Sequence, residues 1–234
     1  MSNVLAMTEG YNGVVIKTSK MSKYSVADSV LAVECGALLS PLIKKLATVG
    51  FCGLESLYGI PGSIGGMIFN NAGAYGSCIS DRFIDASIYF PLQKRIAVIT
   101  KEDMLFSYRA SFLKHKEAYV LSARFNLIRK ESAAILSDIE NIILRRRSSQ
   151  PYGALSLGSV FKRCGEIAIS KLIDELGMRG VSIGGAMVSE KHAGFIVNNG
   201  GATSSDFLSL VAYIKNKIYS KYQFVPEEEI EILK

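Results

Sequence analysis

The segment GLESLYGIPGSIGGMIFNNAGAYG (residues 53–76) decides how the rest of the chain is read. It holds glycines at 53, 59, 62, 65, 66, 73 and 76, with Pro61 and the paired Asn70 and Asn71, and carries no charge between Glu55 and Asp81. That uncharged run is longer than a membrane span requires. Glycine, however, costs ~1 kcal/mol per interior helical position relative to alanine, so the run reads as irregular backbone and no membrane anchor is expected. Glycine lets backbone take positive φ and approach a ligand without a Cβ in the way, and successive free N–H groups in such turns form an anion-binding nest. No GK[ST] follows, so this is not a P-loop, and no G-x-G-x-x-G joins a strand to a helix. Spacing alone leaves a phosphate-binding loop and a glycine-rich core crossing both open.

Outward from this segment, hydrophobic periodicity predicts strands at 14–19 (VVIKTS), 29–35 (SVLAVEC), 83–90 (FIDASIYF), 96–100 (IAVIT) and 118–128 (AYVLSARFNLI), with a helix near 40–49. In 83–90 the alternation places Ile84, Ala86, Ile88 and Phe90 on one face. Beyond residue 130 the period becomes helical. Residues 132–147 carry Ile135, Ile139, Ile142 and Ile143 and end in three arginines, which suit a helix C-terminus. Residues 166–176 carry Ile169, Leu172, Ile173 and Leu176, with Gly177 as the C′ residue. A last helix starts at Thr203 with Asp206 in capping-box position and a stripe of Phe207, Val211, Ile214 and Ile218. HAGFIVN (192–198) reads as a strand. Two lobes follow, 1–128 and 129–234, in an α+β protein.

The chain has 234 residues, 49% hydrophobic and 21% charged, which is globular composition and excludes a disordered or fibrous chain. The net charge of +6 is spread along the sequence without aromatic-plus-basic clustering. No nucleic-acid partner is expected, and the balance suits a phosphate-bearing small ligand. Cys35, Cys52, Cys78 and Cys164 form no C-x-x-C pair, so neither disulfide nor metal site is expected and a reducing compartment fits. MSNVLAMTEG lacks the basic head and apolar core of a signal peptide, so a cytoplasmic protein is expected.

The glycine segment resembles the flavin-binding segment of the bacterial UDP-N-acetylenolpyruvoylglucosamine reductase (UDP-N-acetylmuramate dehydrogenase) family. The resemblance continues in order through FSYRASFL (106–113), GSVFK (158–162), SKLIDELGMRGVSIGGAMVSEKHAGFIVN (170–198), ATSSDF (202–207) and EEEIEIL (227–233). It implies an FAD-binding lobe of the vanillyl-alcohol-oxidase-like (PCMH) type followed by an α+β substrate-binding lobe. It also implies FAD and NADPH as cofactors, a UDP-sugar substrate, a monomer, and a reaction in peptidoglycan synthesis. Flavin contacts then fall on Ser2, Asn3, Ile60, Gly62, Ser63, Gly65, Gly66, Asn71 and Gly73, and substrate contacts on Tyr75, Tyr108, Lys162 and Arg163. Arg109, Ser159 and Glu229 match the family's catalytic set. Glu229 is preferred over Glu227 and Glu228 because Ile230 and Ile232 alternate after it.

The chemistry suits those residues. Reducing a vinyl ether that carries a carboxylate puts hydride on the distal carbon and a proton on the carbon beside the carboxylate. The developing enolate-like charge calls for a guanidinium such as Arg109 and a protonated or hydrogen-bonded Glu229. A serine hydroxyl is a weak acid, and Ser159 suits only a strongly basic carbanion, which this intermediate is. Each such residue alone has a plainer reading: a turn serine, a surface arginine, a solvated acidic tail. His192 is expected to be a hydrogen-bonded structural residue.

The chain also departs from the family pattern. Arg163 and Cys164 stand where the family has Asn-Pro, and the short approach to Ser159 resembles the family's loop-lacking second type. MSNVLAMTEGYNGVVIK (1–17) matches the family's G-x-G-S-N segment from Ser2 onward, with Met1 in place of the loop glycine. On that match an N-terminal subdomain is expected to be missing, through a misassigned start or truncation. The alternative function is then a non-catalytic remnant that at most binds a UDP-sugar.

Overall fold

The computed structural model describes residues 2–233, which divide into two compact units. One comprises Val15–Arg145; the other joins residues 2–14 to 146–233.

The first unit is built on a five-stranded antiparallel sheet in the order Tyr24–Ala27, Val30–Glu34, Tyr119–Asn126, Phe83–Phe90, Arg95–Thr100. Helix α1 (Leu39–Thr48) buries Leu39, Leu42, Ile43, Leu46 and Ala47, positions that recur at the helical period, in the same core as Leu31, Ala86, Ile88 and Phe125. The sheet face differs from simple alternation in one respect. The Phe83–Phe90 register slips between Phe83 and Asp85, leaving Ile84 as the extra residue of a bulge. Phe83 therefore takes the core position, edge-on to Phe106 at 5.0 Å and Phe125 at 5.8 Å. Asp85 then pairs across strands with Arg124 (Nε–Oδ1 2.8 Å).

The glycine segment contains an element its composition argued against. Helix α2 (Ile64–Phe69) buries Ile64, Met67 and Ile68. Tertiary contact overrides propensity here, because Gly65 lies so close to the bend after the Val30–Glu34 strand that a Cβ would sit 3.1 Å from the Cys35 Cβ. The VVIKTS stretch is not a strand. Residues 14–17 have no partner strand among the described residues, Thr18–Lys20 is a 3₁₀ turn, and Val14 and Ile16 are more than four-fifths exposed. β-branched composition without a partner to pair with does not make a strand. The junction between the two units falls at this stretch. Helix α3 (Ser132–Ser149) runs through the other junction and carries the three arginines in its last turns.

The second unit holds a four-stranded antiparallel sheet in the order Ser156–Ser159, Phe195–Asn198, Ala186–Val188, Ser182–Ile183. Helix α4 (Ile169–Glu175) starts three residues later than its periodicity suggested, because Cys164 and Ile167 pair in a tight hairpin first. Helix α5 (Ser204–Tyr222) has the anticipated capping box: Thr203 Oγ1 accepts from Asp206 N, and Asp206 Oδ2 accepts from Thr203 N. Its Phe207, Leu210, Val211, Ile214 and Ile218 complete the second core. Residues 2–8 belong to this unit. Val4–Ala6 lies parallel to Glu231–Leu233, and Thr8 and Ser204 exchange backbone-to-hydroxyl hydrogen bonds, both 2.9 Å, at the start of α5.

His192 behaves as a structural residue: its Nδ1 accepts from Gly194 N at 3.0 Å and its ring lies edge-on to Phe195. Burial lowers its pKa, since the charged form loses hydration.

Two outcomes are expected. Ser204→Ala removes an acceptor from Thr8 N and should cost about 1–2 kcal/mol in denaturant unfolding, with faster amide exchange in residues 2–8. A histidine whose folded pKa lies below its unfolded ~6.5 adds stability that is present above that value and is lost as pH falls through it. The unfolding midpoint should therefore drop between pH ~7.5 and ~5.5, and His192→Gln should flatten that slope.

Candidate flavin and substrate residues

Within the Val15–Arg145 unit, the glycine segment and the SYRAS motif are brought together. Ser107 and Ala110 pair through two backbone bonds (3.1 and 3.2 Å), making a hairpin whose tip is Tyr108-Arg109. Arg109 has φ +54, a left-handed conformation that a non-glycine residue holds only where its surroundings impose it. They do so through three bonds. Asn71 Nδ2 donates to Ser107 O (2.9 Å), Ser111 Oγ donates to Phe69 O (2.9 Å), and Arg109 Nη2 donates to Gly73 O (3.1 Å). Gly73 is required at the last contact, because a Cβ there would lie 2.7 Å from Cys78 Sγ and 3.4 Å from Arg109 Nη1. Both site tyrosines carry a cation over the ring: Arg145 over Tyr75 at 4.5 Å, and Arg109 over Tyr108 at 5.1 Å.

The start of the glycine segment is anchored from the other side. Gly62 O accepts from Leu39 N, Ile64 N donates to Ala37 O, and Gly65 N donates to Cys35 O, at 2.8–3.1 Å. Ile60 O accepts from Ser40 Oγ at 3.5 Å. Not all the N–H groups expected to line a nest are therefore free. Those of Ile64 and Gly65 are spent internally, while those of Gly62, Ser63 and Gly66 have no protein acceptor among the described residues. Asn70 Oδ1 is buried and likewise has no hydrogen-bond partner among the described residues. An unpaired buried carbonyl is costly, and with three unspent N–H groups nearby in sequence it fits a polar ligand such as a flavin dinucleotide. Asn70 was not singled out by sequence, whereas Asn71, the more buried of the pair, was. Ser111, wholly buried, was also missed, although it lies within the quoted motif.

In the second unit the structure gathers the other residues. A register slip between Ser156 and Ser159, with Gly158 at φ +80, re-aims the end of that strand. The chain continues antiparallel to the C-terminal glutamates: Glu229 N donates to Val160 O (2.8 Å) and Lys162 N donates to Glu227 O (2.9 Å). The three glutamates have separate roles. Glu227 pairs with the Lys162 ammonium, Glu228 pairs with Lys215 at 2.5 Å, and Glu229 lies across from the residue that follows Ser159. Asn3 holds the same point, its Nδ2 donating to Glu229 O (3.1 Å) and its carbonyl accepting from Glu231 N (2.9 Å). Ser2 and Asn3 therefore belong to the unit of Ser159 and Glu229, and the seven positions from Ile60 to Gly73 expected to contact the flavin belong to the unit of Arg109. Arg163 is exposed and turns to its own hairpin, donating to Glu166 O at 2.7 Å. The four cysteines are free, and the described residues contain no metal-binding cluster.

Residues 1–91 match the family described as FAD binding domain, and residues 150–233 match that described as UDP-N-acetylenolpyruvoylglucosamine reductase, C-terminal domain. The chain is 39% identical to a UDP-N-acetylenolpyruvoylglucosamine reductase of Latilactobacillus sakei over 99% of its own length and 76% of that protein's. It is also 39% identical to one of Caldicellulosiruptor bescii, over 99% of this chain and 74% of that one. The crystal structure of the UDP-N-acetylenolpyruvylglucosamine reductase of Thermus caldophilus superposes with a TM-score of 0.87 at 29% identity, covering 100% of this chain and 83% of that one. Identity at this level, sustained along the whole chain and in both matched domains, assigns it: the chain belongs to the UDP-N-acetylenolpyruvoylglucosamine reductase family.

Proposed function

We propose that this chain reduces the enolpyruvyl ether of UDP-N-acetylglucosamine to UDP-N-acetylmuramate, using FAD and NADPH, as a step of peptidoglycan synthesis. The observation that supports the reading is the hydrogen bond from Arg109 Nη2 to Gly73 O, which attaches the arginine of the SYRAS motif to the glycine segment. When bound, FAD supplies the hydride. The chain's own residues manage charge and protons. Arg109, held in a left-handed turn, offers its guanidinium to the substrate carboxylate as negative charge develops there. Glu229 stabilises the same charge, and the Asn3 and Val160 hydrogen bonds fix its backbone. Ser159 gives the proton to the carbon beside the carboxylate. Tyr75, Tyr108, Lys162 and Arg163 are assigned to the UDP-sugar.

On this reading the flavin lobe extends to residue 128 and the substrate lobe begins at 129. The soluble nucleotide substrate places the work in the cytoplasm, where the product feeds wall growth and hence cell shape and division. No helix among the described residues is long and apolar enough to cross a membrane.

Ser159→Ala should leave NADPH-driven bleaching of the flavin unchanged while slowing substrate reduction by ~10²–10⁴, measured by stopped-flow absorbance of the two half-reactions. Equal substrate reduction by the variant would remove the proton-donor role.

A further inference from the structure

The turn that carries Arg109 is held in a strained form from outside itself. Ser107 and Ala110 close the turn, and Phe112 N donates to Met104 O (2.9 Å) one rung further out. Arg109 occupies the second central position, where a positive φ ordinarily calls for glycine or asparagine. A turn of this length also has an unstrained form with arginine at negative φ, so the backbone rungs alone do not select the form seen. Two buried side chains grip its feet. Asn71, 5% exposed, donates through Nδ2 to Ser107 O (2.9 Å), the carbonyl that also accepts the turn bond from Ala110 N. Ser111, 2% exposed, donates through Oγ to Phe69 O (2.9 Å). Both bonds lead to residues 69–71 at the end of α2, so the turn is clamped to the glycine segment on each side of Arg109.

We propose that Asn71 is a positioning residue for substrate reduction, acting through Arg109, and not the flavin contact that the resemblance implies. Its amide is engaged at both ends, Nδ2 on Ser107 O and Oδ1 accepting from Ser80 N at 3.4 Å. What the position asks of the backbone is a separate matter. Asn71 has φ +41 and its N–H donates to Ile68 O (3.1 Å), so it follows α2 in the left-handed form that glycine supplies at least as well. The side chain's bond to Ser107 is what glycine could not supply. The inference rests on the role proposed above for Arg109 and assigns what keeps that arginine in place. With the clamp loosened, Arg109 relaxes toward negative φ and its guanidinium leaves Gly73 O. The developing charge on the substrate carboxylate then meets a donor that is no longer preorganised. Reduction of the flavin by NADPH does not call on Arg109 and is untouched.

Asn71→Gly in the full chain keeps the left-handed backbone and removes the amide, which separates the two roles. It should bind FAD and pass electrons from NADPH to the flavin as the wild type does, while reducing substrate about ten- to a hundredfold more slowly in stopped-flow absorbance. Ser111→Ala frees the other foot and should behave alike; it stands in if Asn71→Gly does not fold. Either change combined with Arg109→Ala should be no slower than Arg109→Ala alone, since residues that act as a unit are not additive. Without any ligand, hydrogen exchange at the Ala110 amide should quicken in both variants while the α2 amides keep their protection. Wild-type rates of substrate reduction in both variants overturn the proposal. So does a loss of FAD affinity in Asn71→Gly that accounts for its slower turnover, an effect that adds to that of Arg109→Ala, or unchanged exchange at Ala110. Arg109→Ala with undiminished substrate reduction overturns the role of Arg109 itself, and the positioning role with it.

Discussion

The first unit depends on how closely the glycine segment approaches the bend after the Val30–Glu34 strand. Backbone meets backbone there: Gly65 N reaches Cys35 O at 2.8 Å and Ile64 N reaches Ala37 O at 2.9 Å. A side chain at Gly65 would crowd that approach, its Cβ lying 3.1 Å from the Cys35 Cβ, and with glycine there α2 buries Ile64, Met67 and Ile68. The same contact decides which N–H groups are spent in the fold and which are left for a ligand. From the far end of α2, Phe69, Asn71 and Gly73 then hold the Ser107–Ala110 hairpin and so place Arg109. Packing, backbone satisfaction and site geometry thus meet at Gly65 and Gly73.

The second unit solves a different problem with the same means. A glutamate near a chain terminus is ordinarily solvated and mobile. Here the terminal strand is fixed from both sides, by Val4–Ala6 running parallel to it and by residues 160–162 running antiparallel just ahead of it. Lys162 pairs with Glu227 and Lys215 with Glu228, and the backbone of Glu229 is bonded to Val160, beside the Ser159 strand end. Asn3 connects the two sides. The resemblance assigned it to the flavin diphosphate, and its hydrogen bonds put it equally at the backbone of Glu229.

Much of this was legible in the sequence. The α5 capping box and the stripe of Ile169, Leu172 and Ile173 were readable because local pattern and tertiary environment agree there. The order of motif blocks carried the family, since no single block could. What sequence did not show came from long-range contact. A bulge at Ile84 exchanged Phe83 into the core, α2 formed despite its glycines, and VVIKTS found no partner strand. The unpaired Asn70 carbonyl and the spent amides of Ile64 and Gly65 are likewise properties of the folded arrangement, with no sequence signature.

The central claim is that the glycine segment, as folded here, holds a flavin. Titration of the purified chain with FAD, followed by quenching of flavin fluorescence and by the perturbed absorbance band, tests it most directly. Saturable, equimolar binding that Gly65→Val abolishes while the circular-dichroism spectrum is retained is the predicted result. A folded chain that leaves the spectrum of added FAD unchanged would contradict it.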